Sequence, residues 1–133
     1  MAIFLLIYRI FVNKEGERMS ESVFIGDIGE QIAICMFVKS GFTVSKPITN
    51  NSRYDLIVDI NNKSYKVQVK TTENIKNNIM SFATKTTNYT KGKWKSKSYK
   101  IDDIDFFFLY CMENNWCGLY IYTKRKNIDR DIY

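Results

Sequence analysis

Along this chain, apolar residues keep a helical period over one stretch and strand-like spacing over several others. The stretch from Glu21 or Ser22 to Lys39 predicts a helix, ended by Ser40-Gly41. At about 100° per residue, Gly26, Gly29, Glu30, Ala33 and Phe37 share one of its faces, and Asp27 and Gln31 point elsewhere. Small residues at 26, 29 and 33 would let the backbone approach a neighbour closely. Glu30 then sits in the middle of that face. A carboxylate there needs a partner, because burying an unpaired charge is costly; the alternative is an exposed acid favoured by the helix dipole. Residues 42–46 predict a short strand, followed by Pro47 and a polar loop to Ser52.

The clearest strand signal comes next. Residues 54–60 and 63–70 are rich in β-branched and aromatic side chains, and Asn61-Asn62 lies between them as a hairpin turn. With those two residues as the turn, Tyr54 faces Val69, Leu56 faces Val67 and Val58 faces Tyr65 on one side. Arg53 faces Lys70, Asp55 faces Gln68, Ile57 faces Lys66 and Asp59 faces Ser64 on the other. A one-residue slip would bury the charges, so this register is strongly favoured. It gathers Asp55, Gln68 and Lys70 at one end of the hairpin. A carboxylate, an amide oxygen and an ammonium converging there suit a hard divalent cation beside a phosphate. A solvated strand face with an ordinary Asp–Lys pair explains the same residues.

Residues 105–112 and 116–122 predict two more strands around Glu113-Asn114-Asn115, and the continuous apolar character suggests a strand buried on both faces. Asp102, Asp103 and Asp105 read as polar residues at a strand entrance rather than as a metal cluster. Residues 73–101 differ in kind. Between Glu73 and Asp102 there is no acid, while Lys76, Lys85, Lys91, Lys93, Lys95, Lys97 and Lys100 alternate with Thr, Asn, Tyr and Trp94. They predict a long loop, of the sort that is functional or solvated. Its ammoniums, hydroxyls and amides are the groups that bind phosphate oxygens.

Composition narrows the chemistry. At 133 residues the chain allows one domain with a single core, and its formal charge of +6 suggests a polyanionic partner. It has no His, which removes Ser-His-Asp triads, Cys-His dyads and His-liganded zinc. Cys35, Cys111 and Cys117 show no metal-ligand spacing and suggest a reduced, intracellular protein, cytoplasmic or nucleoid-associated and not secreted. Residues 2–12 form an apolar run too short for a membrane span, which needs about 20 residues. That run is expected to be an edge strand or to precede a natural start at Met19. Residues 1–20 thus read as an N-terminal extension and 21–133 as the domain. Lys124-Arg125-Lys126 offers one more backbone contact or simply solubility.

Glu30 in GDIGEQIA, Asp55 in RYDLIV and Gln68-Val69-Lys70 in KVQVKTT together resemble the PD-(D/E)xK nuclease superfamily, in particular its small homing endonucleases and Holliday junction resolvases. The likeness spans residues 26–110. Tyr54 stands where the motif has Pro, and Gln68 where Asp or Glu is usual, which removes a negative charge from the site. The resemblance implies an α/β fold with a restriction-endonuclease-like core, a central mixed β-sheet flanked by helices. It implies a metal-dependent endonuclease acting on double-stranded DNA. Glu30, Asp55, the Gln68 oxygen and the Val69 carbonyl would hold Mg²⁺, with Mn²⁺ able to substitute, and Lys70 would serve the attacked phosphate. Arg53, Lys66, Lys85, Lys91, Lys93, Trp94, Lys95 and Lys97 are the expected DNA contacts. Cutting both strands implies a homodimer or a higher even oligomer. A junction resolvase, or an inactive DNA-binding protein on the same fold, are the rival readings.

Overall fold

A computed structural model describes residues 21–122. The expectations for residues 2–12, for a start at Met19 and for Lys124-Arg125-Lys126 lie outside the described residues. Helix α1 (Glu21–Lys39) is followed by strands β1 (Thr43–Ser45), β2 (Leu56–Ile60), β3 (Lys63–Thr72), β4 (Lys85–Thr90), β5 (Lys93–Ser98), β6 (Phe106–Cys111) and β7 (Trp116–Ile121). Five of the strands form one mixed sheet in the order β1-β2-β3-β6-β7; β4 and β5 form a separate two-stranded ribbon. All pairings are antiparallel except β3 with β6, at the centre. Parallel neighbours need a long crossover, and the ribbon is carried within it. Among the described residues no helix is long and apolar enough to cross a membrane.

The β2–β3 register is the one the side-chain pattern demands: Leu56 faces Val67, Val58 faces Tyr65 and Ile60 faces Lys63. Asn61 and Asn62 take positive φ, 50° and 63°, which suits the twist of a two-residue hairpin turn. Leu56, Val58, Val67 and Val69 are buried together with Phe106, Phe108 and Tyr110 beneath Ala33 and Phe37 of α1. The opposite sheet face carries a smaller cluster of Tyr99, Ile104 and Phe107, with Tyr54, Leu109 and Tyr122 packed against it. β6 therefore has apolar neighbours on both sides, as its continuous apolar run requires. The sheet is mixed, as expected; among the described residues one helix covers it.

Three sequence expectations are corrected. Residues 73–101 are not one loop: β4 and β5 pair from Lys85 opposite Ser98 to Thr90 opposite Lys93, around a Lys91-Gly92 turn with φ of 52° and 72°. Period-2 burial does not mark these strands, because β5 is exposed at every position and β4 at nearly every one. Second, Tyr54 does not join the Leu56 face. The Asp55 N–H donates to the Val67 carbonyl at 2.9 Å, although Val67 already lies opposite Leu56. The ladder is thus displaced by one residue at the start of β2, and Tyr54 goes to the Tyr99 side. Third, of the glycines on α1, Gly29 alone is needed for close approach. A Cβ there would lie 1.8 Å from Thr71 Oγ1 on β3, whereas one at Gly26 would meet nothing within 4 Å. Cys111 is buried as a small hydrophobe, but Cys35 is exposed.

Candidate active site

α1, the end of β1 and the start of β2 meet at one cleft, lined by Asp27, Glu30, Lys46, Asn50, Tyr54 and Asp55 among others. Gly29 sets how closely α1 lies on β3, and so how near the next residue, Glu30, comes to Asp55. The displaced ladder holds Asp55 at the cleft mouth, just ahead of β2. Asp55 Oδ2 accepts two hydrogen bonds, from the Val69 N–H at 2.8 Å and from Gln68 Nε2 at 2.6 Å. Both bonds go to the same oxygen, which the fold thereby fixes in place.

The electrostatics around Asp55 are unusual for a carboxylate. Burial pushes its pKa up from the ordinary 3.8 to about 6, and the charge of Glu30 pushes the same way. The Val69 N–H, Lys70 and Lys46 pull against this without cancelling it. Such a site disfavours its own negative charge and favours a cation. Glu30 is itself paired: Lys46 Nζ lies 2.6 Å from its Oε2. That hydrogen bond, ahead of the wider field of Glu30, Asp27 and Asp55, raises the Lys46 pKa above its usual value, although desolvation opposes it.

Lys70 lies on the other sheet face, where its ammonium sits 5.2 Å from the centre of the Tyr99 ring. The expected site residues therefore approach Asp55 from both sides of the sheet edge, Glu30 from the helix side and Gln68 and Lys70 from the Tyr99 side. Gln68 turns its amide nitrogen, not its oxygen, towards Asp55, with a second long bond to the Val69 carbonyl at 3.4 Å. Asp27 is exposed, off the packed helix face as expected, yet it lines the same cleft as Glu30.

Two residues of the cleft escaped the sequence reading. Lys46 stands one step beyond the last β1–β2 pair, Ser45 opposite Ile57, and is thereby carried to the start of β2 beside Asp55. Its signal was the pairing of β1 with β2, which a three-residue strand with one half-buried position does not announce. Asp27, one helical turn before Glu30, reaches the cleft from an exposed position that the helix angle alone does not single out.

The expected DNA contacts divide into two groups. Lys85, Lys91, Lys93, Trp94, Lys95 and Lys97 all lie on the ribbon and are exposed. Alternation puts Lys93, Lys95 and Lys97 on one side of it and Lys85 and Trp94 on the other. Near the turn, Tyr89 packs at a tilt against Trp94 with ring centres 5.0 Å apart, yet both remain largely exposed. Lys66 is separate, its ammonium 5.6 Å from the Tyr54 ring. Arg53, expected to flank the phosphate, is engaged within the fold. It donates to Asp103 Oδ2 at 3.3 Å, Thr86 Oγ1 at 3.4 Å and the Ser98 carbonyl at 3.1 Å, with Tyr99 4.5 Å away. It ties the base of the ribbon to the segment that enters the site. The neighbouring acids are structural: Asp103 accepts from the Lys100 N–H at 2.8 Å, and buried Asp105 accepts from the Lys66 N–H at 2.9 Å.

Among the described residues no three His, Cys, Asp or Glu side chains gather as a metal cluster. Of the oxygens expected to bind a metal, the carboxylates of Glu30 and Asp55 line the cleft, while Gln68 presents its amide nitrogen to Asp55. Those two carboxylates fit Mg²⁺, which usually takes one or two carboxylates and completes its shell with water and substrate oxygens.

Comparison with known proteins bears on the family and the fold. A family model described as PD-(D/E)XK endonuclease matches residues 21–131. No curated protein matches the chain. Among solved structures, a bacterial homing endonuclease, I-Ssp6803I, superposes with a TM-score of 0.67 at 26% sequence identity, covering 77% of this chain and 70% of that one. The five-stranded mixed sheet with its packed helix is thus a restriction-endonuclease-like fold, and the chain belongs to the PD-(D/E)XK endonuclease family.

Proposed function

We propose that the protein is a divalent-metal-dependent endonuclease that hydrolyses phosphodiester bonds in double-stranded DNA, of the homing or restriction type, and works inside the cell as a homodimer or higher even oligomer. The observation that carries the reading is Asp55, a carboxylate whose burial and whose neighbour Glu30 both resist its charge, with one oxygen held by the backbone. Glu30, Asp55 and the Val69 carbonyl would hold Mg²⁺ or Mn²⁺, and Gln68 would join them once its amide turns over. When bound, the ion supplies a Lewis acid at the phosphate and makes water a stronger acid.

The chain's own residues do the rest. The Val69 N–H fixes the Asp55 carboxylate in place. The Lys70 ammonium, steadied over Tyr99, would orient the attacking water or balance charge as it builds on the phosphate. Water adds to phosphorus and one P–O ester bond breaks, leaving a phosphate monoester and a hydroxyl. The ribbon brings the charge that holds DNA: residues 85–98 carry five lysines and no acid. A two-stranded β-ribbon is narrow enough for the major groove, and its Lys, Thr and Asn side chains suit phosphate oxygens. The homing-endonuclease neighbour supports this type over a junction resolvase.

Gln68 favours one other reading, a DNA-binding protein on a catalytically silent nuclease fold, because its amide nitrogen already satisfies Asp55. The test is cleavage of genomic and plasmid DNA by the purified protein with Mg²⁺, Mn²⁺ or chelator, beside Asp55→Ala. Cleavage with metal that vanishes in chelator and in the variant is expected. DNA binding without any cleavage would select the silent fold, and equal cleavage by the variant would remove the site.

A further inference from the structure

Lys46 has no part in the mechanism above, yet its ammonium reaches into the cleft from the end of β1 and bonds Glu30 at 2.6 Å. Both residues line the same cleft as Asp55. The lysine side chain is 55% exposed and the glutamate 21%, so the pair is open to water, mainly on the lysine side. Exposed ion pairs are weakly held, so this contact can open without disturbing the fold. The charges of Glu30, Asp27 and Asp55 all act on the Lys46 ammonium, although among the described residues the three do not gather as a metal cluster. A single positive charge already sits on an oxygen that a divalent ion would need.

We propose that Lys46 is a built-in counter-ion for the metal site: its ammonium occupies Glu30 and must leave before that carboxylate can bind a divalent cation. This rests on the metal-site reading given above. Lys46 is therefore a positioning residue. It keeps two facing acids from repelling each other while the site is without metal, and it weakens metal binding in doing so. Asp27, one helical turn before Glu30 on the same cleft, is the carboxylate to which the displaced ammonium would turn.

Metal binding without DNA tests this directly. Mn²⁺ and Ca²⁺ are titrated calorimetrically into wild type, Lys46→Met, Lys46→Arg and Asp55→Asn, each checked for folding by circular dichroism. Lys46→Met is expected to bind the ions three- to tenfold more tightly, about 0.7–1.4 kcal/mol at 1.4 kcal/mol per tenfold. Lys46→Arg, which keeps the charge, should stay near wild type, and Asp55→Asn should bind no ion. Should Lys46→Met fail to fold, Lys46→Gln carries the same expectation.

Equal or weaker binding by the neutral variant, with Asp55→Asn still without binding, overturns the counter-ion role and leaves the metal site standing. Ion binding by Asp55→Asn as strong as wild type, or none by any protein, overturns the metal site and the counter-ion with it. As a second readout, Ca²⁺ should raise the melting temperature of Lys46→Met more than that of wild type. A purely structural lysine would not produce that difference.

Discussion

Two hairpins of this protein are built alike and used differently. β2–β3 and β4–β5 both turn on two residues with positive φ, and both pair antiparallel without interruption over five or six residues. In the first, alternate residues of β2 are fully or nearly buried. In the second, every residue of β5 is exposed. Backbone geometry therefore does not decide what a hairpin is for. An apolar face makes β2–β3 part of the core and fixes Asp55 and Gln68 to within a hydrogen bond of each other. Without such a face β4–β5 buries almost nothing, and an isolated hairpin is marginal in water. Arg53, Thr86 and Tyr99 hold it at its base, and Tyr89 with Trp94 near its turn. The outcome is a rigid site beside an extended surface of positive charge.

Substitutions can sharpen that contrast, and the largest effect belongs to the core hairpin. Leu56→Ala should lower global stability by about 2–5 kcal/mol, measured by urea unfolding. Trp94→Ala, in the ribbon, should change it by less than about 0.5 kcal/mol. Similar losses from both would mean that the ribbon is part of the core.

Next is the charge of Asp55. Because its folded pKa is raised to about 6, the folded state holds a proton that the unfolded state releases near 3.8. Stability from this group is full below pH 3.8 and is lost as pH rises through 6. Without metal, Asp55→Asn should therefore be more stable than wild type at pH 7.5, by on the order of 2 kcal/mol. The gain should disappear at pH 4, and thermal unfolding at the two pH values reads it. A gain of the same size at both would show that charge is not its source.

The ribbon's charge should tell on affinity rather than on stability. Changing Lys93, Lys95 and Lys97 together to Gln should weaken binding to every duplex by roughly tenfold or more. It should also reduce the slope of log affinity against log salt by about 2.7, which is 0.9 for each phosphate contact. An unchanged slope would take these lysines off the DNA. A modest effect is expected of Arg53→Ala, about 1 kcal/mol of stability, with faster amide exchange confined to residues 85–98. Uniform exchange across the chain would show that Arg53 does not tether the ribbon.

The same contrast explains what could be read from the residues alone. The β2–β3 register and the Asn61-Asn62 turn followed from alternation, because a sheet face must be apolar to pack, and the buried β6 followed from its continuous apolar run. The β4–β5 strands lacked that signal, since a ribbon facing water on both sides has no apolar period. Lys91-Gly92 was the trace it left, a pair able to take the positive φ of a hairpin turn. Lys70 stands over Tyr99, whereas Asp55 and Gln68 were legible as neighbours. The shift that sends Tyr54 to the other face was not, for it depends on one hydrogen bond to Val67. Lys46 was hidden because its place follows from β1 pairing with β2, a contact between segments that neither segment advertises.

The central claim is a division of labour: the helix–hairpin junction does the chemistry and the ribbon holds the DNA. Single-turnover cleavage with Mg²⁺ and duplex binding in Ca²⁺, measured on Lys70→Ala and on the triple Lys93, Lys95, Lys97 variant, test it most directly. Lys70→Ala should lose about a hundredfold or more in cleavage rate while binding stays within about threefold of wild type. The triple variant should bind poorly yet cleave at near the wild-type rate once the duplex is saturating. Loss of binding in Lys70→Ala, or loss of rate at saturation in the triple variant, would contradict the division.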